Sequence, residues 1–210
     1  MEKFFILLSI IVISLALPYV YKIYGLKKIT EQNLPDSGSW IELSRGNIYF
    51  EWFLPKGNEE IKGTIVLVHG FSTPSFVWRG LLDNFTNSGY KVLVYDHFGR
   101  GYSERPNVKY DKYLYLDTLR ELILSQEIQE KIHLVGYSMG GPIVGYYAEQ
   151  YYEETQSASL IAPAGFSKSI PDLRSWTTMP ILGDWYWRVF GDRLYGIGNM
   201  SETRFSDDPL

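Results

Sequence analysis

The sequence predicts an α/β domain on a mainly parallel sheet, and two observations carry that expectation. Four short runs of β-branched and apolar residues, 64–68 (TIVLV), 91–95 (KVLVY), 132–135 (IHLV) and 158–161 (ASLI), have the unbroken apolar character of strands covered on both faces. Between them apolar residues recur at helical spacing, so strand and helix alternate, as they do when parallel strands lie side by side under packed helices. A chain of 210 residues, 45% hydrophobic and 21% charged, supplies one cored domain and is too short for two large ones.

Ahead of that domain, segment 1–28 carries the apolar run 4–17 (FFILLSIIVISLAL) behind Met1, Glu2 and Lys3. Read as a single-pass membrane anchor, the leading expectation, it continues through Tyr19, Val20, Tyr21 and Ile23 to the ~20 residues a spanning helix needs, with tyrosines and Lys22 at the interface. Read as an export signal, it offers Ser14, Leu15 and Ala16 as a cleavage region and implies a secreted product. A buried helix is the third option. Lys22, Lys27 and Lys28 outweigh Lys3, which by the positive-inside rule keeps the body of the protein on the cytoplasmic side. Residues 29–38 turn polar around Pro35 and Gly38 and read as a linker.

The core is expected over 39–165. It opens with two β-rich runs, 40–44 and 47–54, joined through Arg45 and Gly46; the permissive glycine backbone suits a tight hairpin, and the two strands read as antiparallel edge strands. After the strand at 64–68, Val77, Leu81 and Phe85 form a stripe at i, i+4 and i+8. Asp111 is placed to cap a second helix, whose apolar face is Tyr115, Leu119, Leu122 and Ile123. Ile143, Val144, Tyr147, Ala148 and Tyr151 mark a third. From 166 to 210 the texture changes to Trp176, Trp185, Tyr186, Trp187, Phe190 and Tyr195 among prolines and glycines, and no further parallel-strand run follows. That segment reads as part of a helical lid or cap, with ordinary packing of loop and helix on the core as the plainer alternative.

Composition removes several classes of function. The net charge is -4 and Lys and Arg are scattered, so no basic stripe is available for nucleic acid. The absence of cysteine rules out disulfides, thiol catalysis and thiolate metal sites. His69, His97 and His133 are the only histidines, and neither metal nor cofactor is implied. Nothing in the sequence speaks to oligomeric state.

The residues that carry chemistry lie at strand ends. Gly136, Tyr137, Ser138, Met139 and Gly140 form a G-x-S-x-G string between the strand at 132–135 and a helix beginning near Met139. A serine at the tip of so sharp a turn needs neighbours without a Cβ, which Gly136 and Gly140 provide, and the helix amino terminus beyond it favours developing negative charge. Pro142 falls in the first helical turn, where its missing N–H costs little. Ser138 is therefore the expected nucleophile. The N–H groups of Phe71, in the His69-Gly70-Phe71 turn after 64–68, and of Met139 would form a two-donor oxyanion hole, worth typically ~2.7–4 kcal/mol per donor. His69 itself is expected to support its turn rather than act as a base.

The third piece is 96–103 (DHFGRGYS), after the strand at 91–95. With the HG turn, this D-x-x-G-x-G-x-S loop and the serine elbow in that order, the sequence resembles the α/β-hydrolase superfamily over roughly 40–166. The HGF turn, the GYSMGG elbow, LIAPAGF at 160–166 and the amino-terminal apolar segment look like membrane-anchored monoacylglycerol lipases and related carboxylesterases. The resemblance implies that Asp96 and the loop glycines shape the site without joining a triad.

The resemblance also implies a chain order of Ser, then Asp or Glu, then His. No histidine follows His133, which begins the strand that ends at Ser138, about 13 Å of extended chain away. His97 is on the correct side of the sheet but in the wrong loop. Asp184, Asp192, Asp207 and Asp208 follow no recognisable strand, so no acid is named. The expectation is a serine hydrolase of lipid-like or aromatic acyl esters working through an acyl-enzyme on Ser138, with its last strands, acid and histidine missing from these 210 residues, nearly inactive in this form and prone to aggregate at an exposed sheet edge. The alternatives are a membrane-tethered binding protein on a degenerate hydrolase fold, or an amidase, aminopeptidase or carbon–carbon bond hydrolase with the same triad.

Overall fold

The computed structural model describes residues 2–24, 29–57, 60–165, 179 and 181–194. They fall into two compact units, one built from helices α1 (Glu2–Tyr24) and α5 (Leu182–Leu194), the other from residues 29–165.

The larger unit is a six-stranded sheet, β1 (Gly38–Leu43), β2 (Gly46–Phe53), β3 (Gly63–Val68), β4 (Tyr90–Tyr95), β5 (Ile132–Tyr137) and β6 (Thr155–Ile161), in the order β1-β2-β4-β3-β5-β6. β4, β3, β5 and β6 are mutually parallel, and β1 and β2 add antiparallel to one side. The crossovers carry α2 (Arg79–Asn87), α3 (Lys112–Ser125) and α4 (Gly140–Gln150).

The first hairpin closes with Leu43 opposite Gly46, so Ser44 and Arg45 are its loop residues. Gly46 takes φ +131°, a backbone that a side chain rarely adopts. β1 is an edge as expected, but β2 is not: Phe50 to Phe53 pair with Tyr95 to Val92 of β4, and the neighbouring Ile48 and Tyr49 are buried. The parallel strands explain why their sequences lack alternation. In β3, Ile65 and Leu67 face one cluster with Trp78, Leu82, Val92 and Val94, whereas Val66 and Val68 face the other with Leu119, Leu122, Leu134 and Val144. Each face has its own helices, so both sets must be apolar.

Asp111 caps α3, its carboxylate accepting from the N–H groups of Tyr113 and Leu114 at 3.1 and 3.2 Å. α3 buries Leu114, Thr118, Leu119, Leu122 and Ile123, with Tyr115 packed at the margin. α2 departs from the expected stripe by one residue. The buried set is Trp78, Leu82 and Thr86, while Leu81 is exposed and Val77 and Phe85 are only partly covered. The indole of Trp78 is the largest apolar group available there, and a 3-10 turn over Ser75–Trp78 turns it onto the sheet, fixing the phase of the helix that follows. Thr86 survives in the core because its hydroxyl donates to the Leu82 carbonyl.

Candidate active site

The loops following β3, β4, β5 and β6 meet at the carboxyl end of the parallel strands. Ser138 follows β5 directly and has φ +53°, one of three non-glycine residues among those described with a left-handed backbone. Such strain persists only where the surroundings over-determine it. Here they do: the Ser138 N–H donates to the Ile161 carbonyl at 3.0 Å, and the Ser138 carbonyl accepts from Gly141 at 3.1 Å and Ala164 at 2.9 Å. Ala162, just past β6, is itself left-handed at φ +42°.

The glycines allow the elbow to close. A Cβ on Gly136 would stand 2.4 Å from the Gly140 carbonyl oxygen, and one on Gly140 would stand 2.1 Å from the Val68 oxygen. One on Gly141 would strike Pro163 at 2.6 Å. From the other side the β3 loop approaches so closely that a Cβ on Gly70 would lie 3.0 Å from the Ser138 Cβ and 3.4 Å from its Oγ. Gly70 precedes Phe71, and Met139 is the residue that leads into α4. The two residues expected to supply oxyanion donors are thus sequence neighbours of Gly70 and Ser138, which approach each other closely.

The β3 loop is held from behind by a fully buried histidine pair. The His69 Nδ1–H donates to the Gly70 carbonyl at 2.7 Å, while Nε2 accepts from the His97 N–H at 2.9 Å. His97 returns a bond from Nε2 to the His69 carbonyl at 3.0 Å, and the two rings lie 4.2 Å apart. The accepting Nε2 makes His69 the neutral Nδ1–H tautomer, whereas His97 carries a proton on Nε2 and its buried Nδ1 has no hydrogen-bond partner among the described residues. Burial pushes the His69 imidazole down to about 3 and holds His97 well below the usual range. Asp96, also buried, accepts from the N–H groups of Ser75 at 2.7 Å and Tyr102 at 2.9 Å, and its carbonyl accepts from Ser103 Oγ at 2.6 Å. Burial raises its carboxyl above the ordinary range despite those donors. Asp96 thus ties the β3 and β4 loops together.

His133, at the opposite end of β5, bonds Ser157 Oγ at 2.8 Å and stacks edge-on to Tyr90. All three histidines are engaged away from the Ser138 hydroxyl. Asp184 lies in α5, where it pairs with Arg188; the Asp192 side chain and the whole of Asp207 and Asp208 lie outside the described residues, as does most of the expected lid at 166–210.

Sequence reasoning missed Arg100. Its Nε donates to the Phe71 carbonyl, its Nη1 to Gly99 at 3.0 Å, and its guanidinium lies 4.3 Å over the Phe71 ring. The residue stands inside the recognised loop, but no spacing rule reports that its side chain crosses to the neighbouring one.

A parallel sheet with a strained serine between strand and helix, close against the backbone of a neighbouring strand loop, defines the hydrolase class of α/β proteins. The comparison with known families agrees: the family described as the alpha/beta hydrolase fold matches residues 63–193, more than half of the chain, and the chain belongs to it. A putative non-heme chloroperoxidase of Synechocystis sp. is 36% identical over 100 residues, covering 47% of this chain and 36% of the relative. A probable lysophospholipase L2 of Haemophilus influenzae is 32% identical over 148 residues, 64% of this chain and 46% of the relative. The crystal structure of a monoacylglycerol lipase from Paleococcus ferrophilus superposes with a TM-score of 0.52 at 26% identity, covering 59% of this chain and 46% of that one. The chain spans less than half the length of each of these three.

Proposed function

We propose that the chain carries the nucleophile half of a serine hydrolase acting on lipid-like or aromatic acyl esters, held at a membrane by α1. The observation that carries this reading is the Ser138 backbone, strained at φ +53° and braced by Ile161, Gly141 and Ala164. In the reaction, Ser138 Oγ would attack the ester carbonyl carbon and the resulting oxyanion would lie between the Phe71 and Met139 N–H groups. Collapse expels the alcohol and leaves an acyl-serine that water then cleaves to the free acid. The names of the lysophospholipase and monoacylglycerol lipase relatives support ester chemistry on lipids. α1 is long and apolar enough to cross a membrane, and none of its residues is buried.

The hydroxyl proton must leave Ser138 during attack, and the buried, neutral His69 and His97 and the distant His133 are not placed to take it. Residues 1–210 by themselves are therefore expected to acylate far more slowly than a form that also supplies an oriented imidazole. Fluorophosphonate labelling of the chain and of any longer product of the same gene, with Ser138→Ala as control, tests this. Ser138-dependent label is expected in both, faster in the longer product; no such label in either would sink the hydrolase. The engaged histidines favour one second reading, a membrane-tethered protein that binds lipid esters without cleaving them, which would bind a fluorescent lipid ester while remaining unlabelled.

A further inference from the structure

The unit formed by α1 and α5 contains polar contacts that the hydrolase chemistry does not use. The Trp185 indole N–H donates to the Leu15 carbonyl at 2.7 Å, and the Tyr19 hydroxyl donates to the Asp184 carboxylate at 2.6 Å. Arg188 Nε holds both oxygens of Asp184 at 2.9 and 3.0 Å, and its guanidinium lies 5.9 Å over the Tyr19 ring. Pro18 stands inside α1 between the two contact points. Pro18 lacks the N–H that would bond the Ser14 carbonyl, and the Trp185 indole bonds the carbonyl of the next residue, Leu15.

Position along α1 gives these contacts their meaning. Leu15 and Tyr19 are one turn apart, about 6 Å, and the apolar run 4–17 ends between them. α5 therefore meets α1 where the apolar run gives way to the tyrosines and Lys22 of its interfacial end, with Leu15 one turn inside and Tyr19 at the level where tryptophan and tyrosine side chains are enriched. α5 carries Trp185, Tyr186, Trp187 and Phe190 within two turns. Its amino end is flanked by Met179, Ile181 and Leu182, exposed by 47, 82 and 60%.

We infer that α5 is a membrane-interface helix latched to α1 by Trp185, Asp184 and Tyr19, with the lipid bilayer surface as its partner. The inference rests on α1 being a membrane anchor. It follows that the segment after the hydrolase core is tied to the bilayer at a fixed depth, independently of whether Ser138 turns over substrate.

The aromatic inventory makes this measurable, because α1 contains no tryptophan. The full chain is reconstituted in phosphatidylcholine vesicles whose acyl chains carry bromine either near the headgroup or near the bilayer centre. Headgroup-proximal bromine is expected to quench tryptophan emission more strongly, and Trp185→Phe/Trp187→Phe is expected to abolish most of that quenching. Quenching that is absent, or unchanged in the double variant, while the chain stays with the vesicles in alkaline carbonate overturns the interface helix and leaves the anchor intact. Release into the carbonate supernatant overturns both, through the anchor. Should the aromatic variant fold poorly, Tyr19→Phe/Asp184→Asn keeps both tryptophans and removes the latch: it is expected to weaken the preference for headgroup-proximal quenching, and an unchanged preference overturns the latch.

Discussion

The two buried histidines show how the site's framework depends on neutral groups. Unfolded, each titrates near 6.5; folded, His69 is pushed down to about 3 and His97 well below its usual range, both by burial. Below pH 6.5 the unfolded chain therefore binds more protons than the folded one, so stability falls as the pH falls, with a slope approaching ~1.4 kcal/mol per pH unit for each histidine. Asp96 acts in the opposite sense, since its raised carboxyl lets the folded state take up a proton first. Glu130, drawn down to about 2 by Lys91 and Thr64, adds a further loss as the pH drops below about 4.5. Urea midpoints measured from pH 7.5 to 4 should decline, and His97→Gln should flatten the decline between pH 6.5 and 5. A profile without slope in that window would show that the pair is not held neutral by burial.

At the scale of elements, the crossing of β5, α4 and β3 at Gly136 and Gly140 leaves no room for a methyl group. Gly140→Ala is expected to destabilise the protein by at least ~3 kcal/mol, because backbone oxygens, unlike side-chain tips, cannot move aside. Gly145, on α4 with nothing within 4 Å of a Cβ, is the internal control: Gly145→Ala should raise stability by up to ~1 kcal/mol. Chemical denaturation of both variants checks the pair, and equal effects would refute the close-approach account.

These glycines were legible in the sequence because a G-x-S-x-G string at a strand-to-helix junction has few other uses. The Asp111 cap and the apolar parallel strands were legible for the same reason, since local chemistry and tertiary position agree. The α2 stripe was misread by one residue because aliphatic spacing was counted without Trp78 or the 3-10 turn that sets the phase. The Arg100 contact to Phe71 and the α1–α5 contacts were unreadable, as they join side chains from separate segments and leave no periodicity behind.

At the scale of the whole molecule, β6 is the outer strand of the sheet among the described residues, pairing there only with β5, and its residues from Gln156 to Ile161 are exposed. An exposed edge strand invites intermolecular pairing. Light scattering is expected to show concentration-dependent association of the detergent-solubilised chain, reduced by Leu160→Lys on that edge, with the far-ultraviolet circular dichroism unchanged. Association that is indifferent to the substitution would place the contact elsewhere.

The bracing of Ser138 also has a meaning in time. Two of the three bonds that hold it strained come from Ile161 and Ala164, more than twenty residues later in the chain. A ribosome adding ~5–20 residues per second passes Ser138 about 1–5 s before those partners are synthesised, and the partners leave the exit tunnel later still. Throughout that interval the serine can relax into an ordinary turn. The elbow serine is thus made early and set late, when β6 docks.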